Sequence, residues 1–397
     1  VERKAFPASR DLVYDCAMKD PVYLDHNATT PLLPAVVDAM LPYLREHFGN
    51  PSSAHPYGRR AHEAVDRARA QVASLLACSA DEVVFTSGGT EASNLAIHGT
   101  LAARPTRRHV VTTAAEHPAT AATLAALVPS GVHVDTVAVD SDGRVDAQAV
   151  GAALRDATAL VSVIHGQNET GVLQPVAAIA RAARKRGVVS HVDAAQSAGK
   201  VDVRVDVLGC DLMTVVGHKL YGPKGVGALY VRAGTPLAPF ARGAGHERGM
   251  RPGTENVASL VGFGVACEVA AKELDAAAAR SLALRGRLWG LLREAIPGIA
   301  LNGHPIERLP NTLSVRFPRV SGNALLAAAP DVAASTGSAC HAGVEAAPGA
   351  IVAMGVPASE AIGTVRLTTG RHNSEADIDR AAEALIAAWR SLVTAGD

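Results

Sequence analysis

Between residues 59 and 255, short runs of β-branched and apolar residues alternate with longer alanine-rich stretches. The runs EVVF (82–85), HVVTT (109–113), HVDTVAV (133–139), ALVSVI (159–164), VVSHV (188–192), LMTVV (212–216) and GALYV (227–231) have the length and composition of strands. Between several of them, ARAQVASLLA (68–77) and PVAAIARAARKR (175–186) carry apolar residues at helical spacing. This alternation predicts an α/β fold with a mostly parallel, seven-stranded sheet covered on both faces. A sheet of that kind binds its ligand beyond the carboxyl ends of its strands.

After residue 256 the rhythm changes to one long helical stretch, 257–296, followed by extended pieces at NTLSVRF (311–317) and TVRLTT (364–369) and a last helix near 375–394. That order predicts a small α+β domain with an antiparallel sheet. The expected division is a large domain over 51–256 and a small one formed by 257–397 together with the N-terminal segment 21–50. Residues 1–20 show no period and are expected to be a flexible leader, with Met18 a candidate native start.

Composition narrows the function classes. The 397 residues hold 38 Lys plus Arg against 38 Asp plus Glu, so neither nucleic acid nor a membrane surface is expected as main partner. Hydrophobic residues reach 48% and aromatics only 4%, which fits a large core packed through small side chains. Cys16, Cys78, Cys210, Cys267 and Cys340 are odd in number and lack CxxC spacing, which argues against a disulfide framework or a zinc site of neighbouring thiols. With no signal sequence or long apolar run, a cytoplasmic location is expected.

Several expected strand ends carry polar residues that a plain loop does not need. In SGGTEASNLAI (87–97), Gly89, Thr90 and the backbone N–H groups of a helix start can hold an anion such as phosphate, or form an ordinary capped turn. Asp193 in SHVDAAQ (190–196) can hold a protonated ring nitrogen or cap a helix, with Gln196 close behind. Lys219 in GHKLYGPKGVG (217–227) follows an apolar run, where a desolvated amine becomes a carbonyl-directed nucleophile. His117 in EHPAT can stack on a planar ring and move a proton or be a surface histidine, and Asn168 in HGQNETG can donate to a ring oxygen or stand in a turn. Together these groups suit one flat anionic cofactor, and pyridoxal 5'-phosphate needs this set: a phosphate site, a carboxylate and a lysine. Cys340 lies in STGSACHAG (335–343), where small residues suit a reactive thiol better than a buried one once the cofactor set is in view.

The ordered motifs YLDHNATTP (23–31), FGNPSSAHPYGR (48–59), SGGTE, EH, NETG, HVDAAQ, GHKLYGPKG, RPGTEN (251–256), GSAC and VRLTTGR (365–371) resemble the cysteine desulfurases of the class V aminotransferase family, close also to selenocysteine lyases. The resemblance implies the fold type I of pyridoxal phosphate enzymes. It implies Lys219 as the Schiff-base lysine, Asp193 at the pyridine nitrogen, and Gln196 with Asn168 near the ring hydroxyl and the substrate. It further implies His117 stacked on the ring, Thr90 and His218 on the phosphate, and Thr254 reaching the phosphate of the neighbouring subunit of a homodimer. Arg366 would clamp the substrate carboxylate, with Asn27 nearby.

The implied reaction converts L-cysteine to L-alanine, leaving a persulfide on Cys340 for a protein acceptor. Eleven residues separate Cys340 from VAMG (352–355), a span similar to the long-loop desulfurases. Three positions depart from the commoner desulfurase pattern: Val216 before GHK and HAG after Cys340, which lean toward the lyases, and Gln167 before NETG. A selenocysteine lyase and an interaction component of a sulfur-delivery assembly are therefore the alternatives carried forward.

Overall fold

The computed structural model of the chain describes residues 20–337 and 347–395; most of the expected leader, and the Cys340–His341 pair, lie outside them. Its twelve strands are β1 Val22–Tyr23, β2 Val83–Thr86, β3 His109–Thr113, β4 His133–Val137, β5 Thr158–Ile164, β6 Val189–Asp193, β7 Leu212–Val216, β8 Gly227–Val231, β9 Ala300–Leu301, β10 Thr312–Arg316, β11 Val332–Ala333 and β12 Thr364–Thr368. All seven runs read from the sequence become strands of a single sheet in the order β2-β8-β7-β6-β5-β3-β4. The pairs β3–β4, β3–β5, β5–β6 and β6–β7 are parallel, whereas β8 runs antiparallel to both β2 and β7. Six strands therefore point one way, and their carboxyl ends form one edge.

The pleat distributes side chains as period two requires. Val110, Leu160, Leu212 and Leu229 face one core with Leu95, Ile97 and Leu124 from the helices Gly89–Ala103 and Pro118–Leu127. Their neighbours Val111, Val161, Met213 and Ala228 face the other, with Val72, Leu76 and Phe263. A sheet buried on both faces needs apolar residues at successive positions, which explains its unbroken β-branched runs.

The helix Val257–Ala295, 39 residues long, spans about 58 Å and serves two cores. Asn256 caps it by accepting from the Ser259 N–H at 3.3 Å. Its first half buries Leu260, Phe263, Ala266 and Cys267 against the large sheet, and its second half buries Leu284, Leu288 and Leu292 against β10 and β12. The antiparallel sheet β12-β10-β9 and the helix Glu375–Ala395 complete that second core. The segment before the large sheet divides likewise. β1 pairs in parallel with β11 and Leu24 joins the second core, while Val36 of the helix Pro34–Arg45 packs in the first.

This N-terminal segment is threaded tightly past β12. A Cβ at Gly370 would fall 2.3–2.5 Å from the His26 ring, and His26 is 3% exposed with Tyr23 edge-on at 4.9 Å. Gly370→Ala is expected to destabilise the protein by about 1–3 kcal/mol through overpacking, measured as a lower midpoint of chemical unfolding.

Candidate active site

The carboxyl edge of the large sheet gathers the polar residues singled out by the sequence. β7 ends at Val216 and the chain turns through Gly217–Lys219, bringing the Lys219 side chain back over the edge. Lys219 Nζ donates to the carbonyls of Asn27 and Ala28, the latter at 2.8 Å. Burial lowers the pKa of this amine to about 8, with Arg366 pushing the same way against Asp25 and Asp193. An amine with that pKa is partly neutral near pH 7, as carbonyl addition requires.

Asp193 closes β6 and is 4% exposed. Its Oδ1 accepts from the Ala195 N–H at 2.9 Å. Burial raises its pKa, opposed by that N–H and by the nearby His117 and Lys219. A buried carboxylate so placed gains from a cationic ring nitrogen, whose charge offsets the desolvation.

His117 caps the helix Pro118–Leu127, its Nδ1 accepting from the Ala119 N–H at 3.1 Å. That bond leaves Nε2 to carry the proton of the neutral ring. Desolvation lowers the pKa of His117, with Asp193 opposing and Lys219 assisting. His117 is nonetheless exposed, as a group that meets a ligand must be. Beneath it Glu116 accepts from Thr113 Oγ1 at 2.6 Å and from the Ile164 N–H at 3.0 Å. Burial pushes its carboxyl up to about 8, Asp193 adding to the effect, so Glu116 is mostly protonated at neutral pH and fixes the turn without competing for a cation.

The helix Gly89–Ala103 starts immediately beyond β2. Gly88 adopts φ 147°, a conformation few side chains tolerate, and a Cβ at Gly89 would stand 2.8 Å from Val216 Cγ1. The backbone can therefore pass close to the end of β7, with Thr90 exposed at the first turn. A helix of 15 residues opening here offers free N–H groups and a positive dipole end to an anion. His218 is half-buried beside Thr29, Nδ1 to Oγ1 3.2 Å, and burial with the adjacent Lys219 lowers its pKa to about 4. Thr254 stands exposed on the loop before the long helix, lining a cavity with Thr86 and Ser87 at the end of β2.

Asn27 is the hub. Only 1% exposed, it accepts at its carbonyl from both Lys219 Nζ and Gln196 Nε2, the latter at 2.8 Å. Its Nδ2 donates to Thr312 Oγ1 at 2.9 Å and the Asn168 carbonyl at 3.4 Å, while its Oδ1 accepts from Asn311 Nδ2 at 3.1 Å and Lys200 Nζ at 3.2 Å. Arg366, 4% exposed on β12, donates from Nη2 to Asp25 Oδ1 at 2.7 Å and from Nη1 to the Asn168 carbonyl at 3.0 Å. Its buried Nε makes no hydrogen bond among the described residues.

Sequence reading placed Lys219, Asp193, His117, Asn168, Gln196, Asn27, His218 and Arg366 together, and they converge. Thr90 and Gly89 border the same edge, and Thr254 lies on a separate exposed loop. Cys340 lies outside the described residues. The sequence reading missed Lys200, Asp25, Asn311 and Glu116. Two of them had a signal: Asp25 and Glu116 stand beside Asn27 and His117 within stretches already singled out, YLDHNATTP and EHPAT.

A seven-stranded α/β sheet with an amine, a buried carboxylate and a helix start on one edge defines an enzyme of the fold type I class. The class-V aminotransferase family model matches residues 22–381, and the chain belongs to that family. It is 45% identical over 368 residues to a cysteine desulfurase IscS of Anaeromyxobacter dehalogenans (strain 2CP-C), covering 92% of this chain and 91% of that one. Among solved structures it resembles a NifS-like protein with TM-score 0.87 and 35% identity, covering 92% of this chain and 98% of that one. It also resembles SspA in complex with cysteine, with TM-score 0.79 and 32% identity over 89% of this chain and 99% of that one.

Proposed function

We propose that the chain is a cysteine desulfurase that uses pyridoxal 5'-phosphate to convert L-cysteine to L-alanine and passes the sulfur to an acceptor. The observation that carries this reading is the Lys219 amine, with pKa about 8, set beside the buried Asp193 at the carboxyl edge. The residues present fit the cofactor. The Gly88–Gly89 approach and the helix start with Thr90 suit a phosphate, which His218 is proposed to hold as well, and Asp193 suits a ring nitrogen. When bound, the cofactor supplies an electron sink for the substrate's α-carbon.

The chain's own groups do the rest. Lys219, in its neutral form, takes the α-proton, and His117 carries a mobile proton on Nε2 at the solvent side. Arg366 orients the substrate carboxylate, its guanidinium held in place by Asp25 and the Asn168 carbonyl. Gln196 and Asn168 supply amide groups for the ring hydroxyl and the substrate. The Cys340 thiolate attacks the substrate sulfur: an S–S bond forms and the C–S bond breaks. The electron pair of that bond goes to the β-carbon, which takes up a proton to give the methyl group of alanine. In a homodimer the exposed Thr254 would reach the phosphate of the neighbouring subunit. Among the described residues no helix is long and apolar enough to cross a membrane, and no cluster of three or more His, Cys, Asp or Glu could hold a metal.

Cys340→Ser is expected to retain the cofactor's visible absorbance while losing the persulfide, read as the mass of the Cys340 peptide after incubation with cysteine. Alanine production at the wild-type rate in that variant would sink the sulfur-transfer step. Val216 at the end of β7, where desulfurases commonly have serine, favours a second reading as a selenocysteine lyase. Turnover on selenocysteine with almost none on cysteine would establish it.

A further inference from the structure

Asp25 stands where the Arg366 clamp meets the chain that leads to Cys340. Its Oδ1 accepts from Arg366 Nη2 at 2.7 Å and from Ser335 Oγ at 3.1 Å, so one carboxylate oxygen serves both. The backbone prepares this meeting. The parallel register of β1 and β11, Val22 with Val332 and Tyr23 with Ala333, sets Asp25 beside Ser335 when carried two residues on. Ser335 also forms an antiparallel bridge with Arg366 of β12, its carbonyl accepting from the Arg366 N–H at 2.7 Å. Two residues later, a Cβ at Gly337, where φ is 125°, would stand 3.3 Å from Glu169 Oε2. Glu169 follows Asn168, whose carbonyl accepts from Arg366 Nη1 at 3.0 Å. The chain thus runs from Ser335 to Gly337 against the same loop that holds the guanidinium.

We propose that Asp25 and Ser335 are positioning residues for the sulfur transfer: the carboxylate orients Arg366 and, through the Ser335 hydroxyl, anchors the start of the segment that carries Cys340 in the same frame. This rests on the reading of Arg366 as the clamp of the substrate carboxylate and of Cys340 as the thiol that takes the sulfur. Cys340, outside the described residues, lies five positions after Ser335, a length of chain that spans at most about 17 Å. An anchor at Ser335 therefore bounds where the thiol can act. In L-cysteine the carboxylate and the sulfur are joined through the α- and β-carbons alone, so a held carboxylate likewise bounds where the sulfur lies. The backbone bond to Arg366 fixes Ser335 at one point, and the hydroxyl on Asp25 is a second, charge-assisted one that opposes rotation about the first. Positioning of this kind acts on the attack of thiolate on sulfur and leaves substrate binding alone.

The test uses the full enzyme with its cofactor. Rapid-quench single turnovers with L-cysteine are read as the mass of the Cys340 peptide, and steady-state alanine formation gives kcat and KM. Absence of a persulfide on wild-type Cys340 would remove the desulfurase reading itself. Given the persulfide, Ser335→Ala is expected to slow its formation and lower kcat about tenfold, with KM within about twofold of wild type. Ser335→Thr, which keeps the hydroxyl, should recover most of that rate. Asp25→Ala should raise KM as well as lower kcat, because it also releases Arg366. The double variant should lose no more in kcat than D25A alone, since the second change removes a contact already gone. Melting curves check each fold, and if D25A does not fold, S335A and S335T carry the comparison. Alkylation of Cys340 by iodoacetamide without substrate should stay within about twofold of wild type in S335A, because a small reagent does not need the thiol in one place. Persulfide formation at the wild-type rate in folded S335A would overturn the proposal. So would a further tenfold loss in the double variant, or an alkylation rate that falls as far as the persulfide rate and so places the defect on the thiol itself.

Discussion

Lys219→Ala is expected to lower alanine formation from cysteine by about 10³-fold or more, and to abolish the borohydride-stable adduct with pyridoxal phosphate on the peptide containing residue 219. The magnitude follows from what is lost at once. The amine both addresses the cofactor's carbonyl and moves the α-proton. Lys200 Nζ is engaged by Asn27 Oδ1 and Gln196 Oε1, and Lys224 is an exposed loop residue. The fold should survive, because among the described residues Lys219 Nζ serves only two backbone carbonyls, on a segment held by other bonds such as the Thr30 N–H to the His218 carbonyl at 3.0 Å. Wild-type turnover in K219A would remove Lys219 from the mechanism. Near-wild-type melting with lost turnover would separate chemistry from stability.

Glu247→Ala is expected to cost about 3–5 kcal/mol of stability, measured by denaturant unfolding. Glu247 and Arg69 are 5% and 8% exposed and pair through two parallel bonds of 2.7 Å. Glu247 Oε2 also accepts from the Phe85 N–H at 2.8 Å, and Arg69 Nη1 donates to the Val83 carbonyl at 2.8 Å. The pair thus pins the loop that leads to Thr254 against β2 and the helix Pro56–Leu76, whose first turn is capped by His55. Removing the carboxylate strands a guanidinium in the interior and leaves the Phe85 N–H without an acceptor. The double variant Arg69→Met with Glu247→Leu should be less destabilised than Glu247→Ala, since no unpaired charge remains. A loss below about 1 kcal/mol for E247A would show that solvent reaches Arg69 and that the pair is not buried in solution.

The strand runs were legible because a sheet covered on both faces demands apolar residues at successive positions, a pattern that loops and amphipathic helices do not share. HVVTT, LMTVV and GALYV match β3, β7 and β8 residue for residue. The helix Pro56–Leu76 was read only from residue 68, because its first turns carry Arg, His and Glu toward solvent and bury small residues such as Gly58 and Ala61. The antiparallel course of β8 was not legible, since strand direction depends on how the chain crosses the sheet and not on side-chain type.

Within the site, the sequence alone determined which chemistry was available. A lysine after an apolar run, an aspartate at the end of another and a glycine-rich helix start are local features, each set by its neighbours in the chain. The tertiary structure decided how those groups act on one another. Asn27, Gln196, Lys219, Asn311 and Arg366 are separated by up to hundreds of positions, and only the packing of β12 and the N-terminal segment over the sheet edge joins them. The shifted protonation of Lys219, Asp193 and Glu116 arises from that burial. Residue order does not encode desolvation; it appears only when distant segments close over the same few polar atoms.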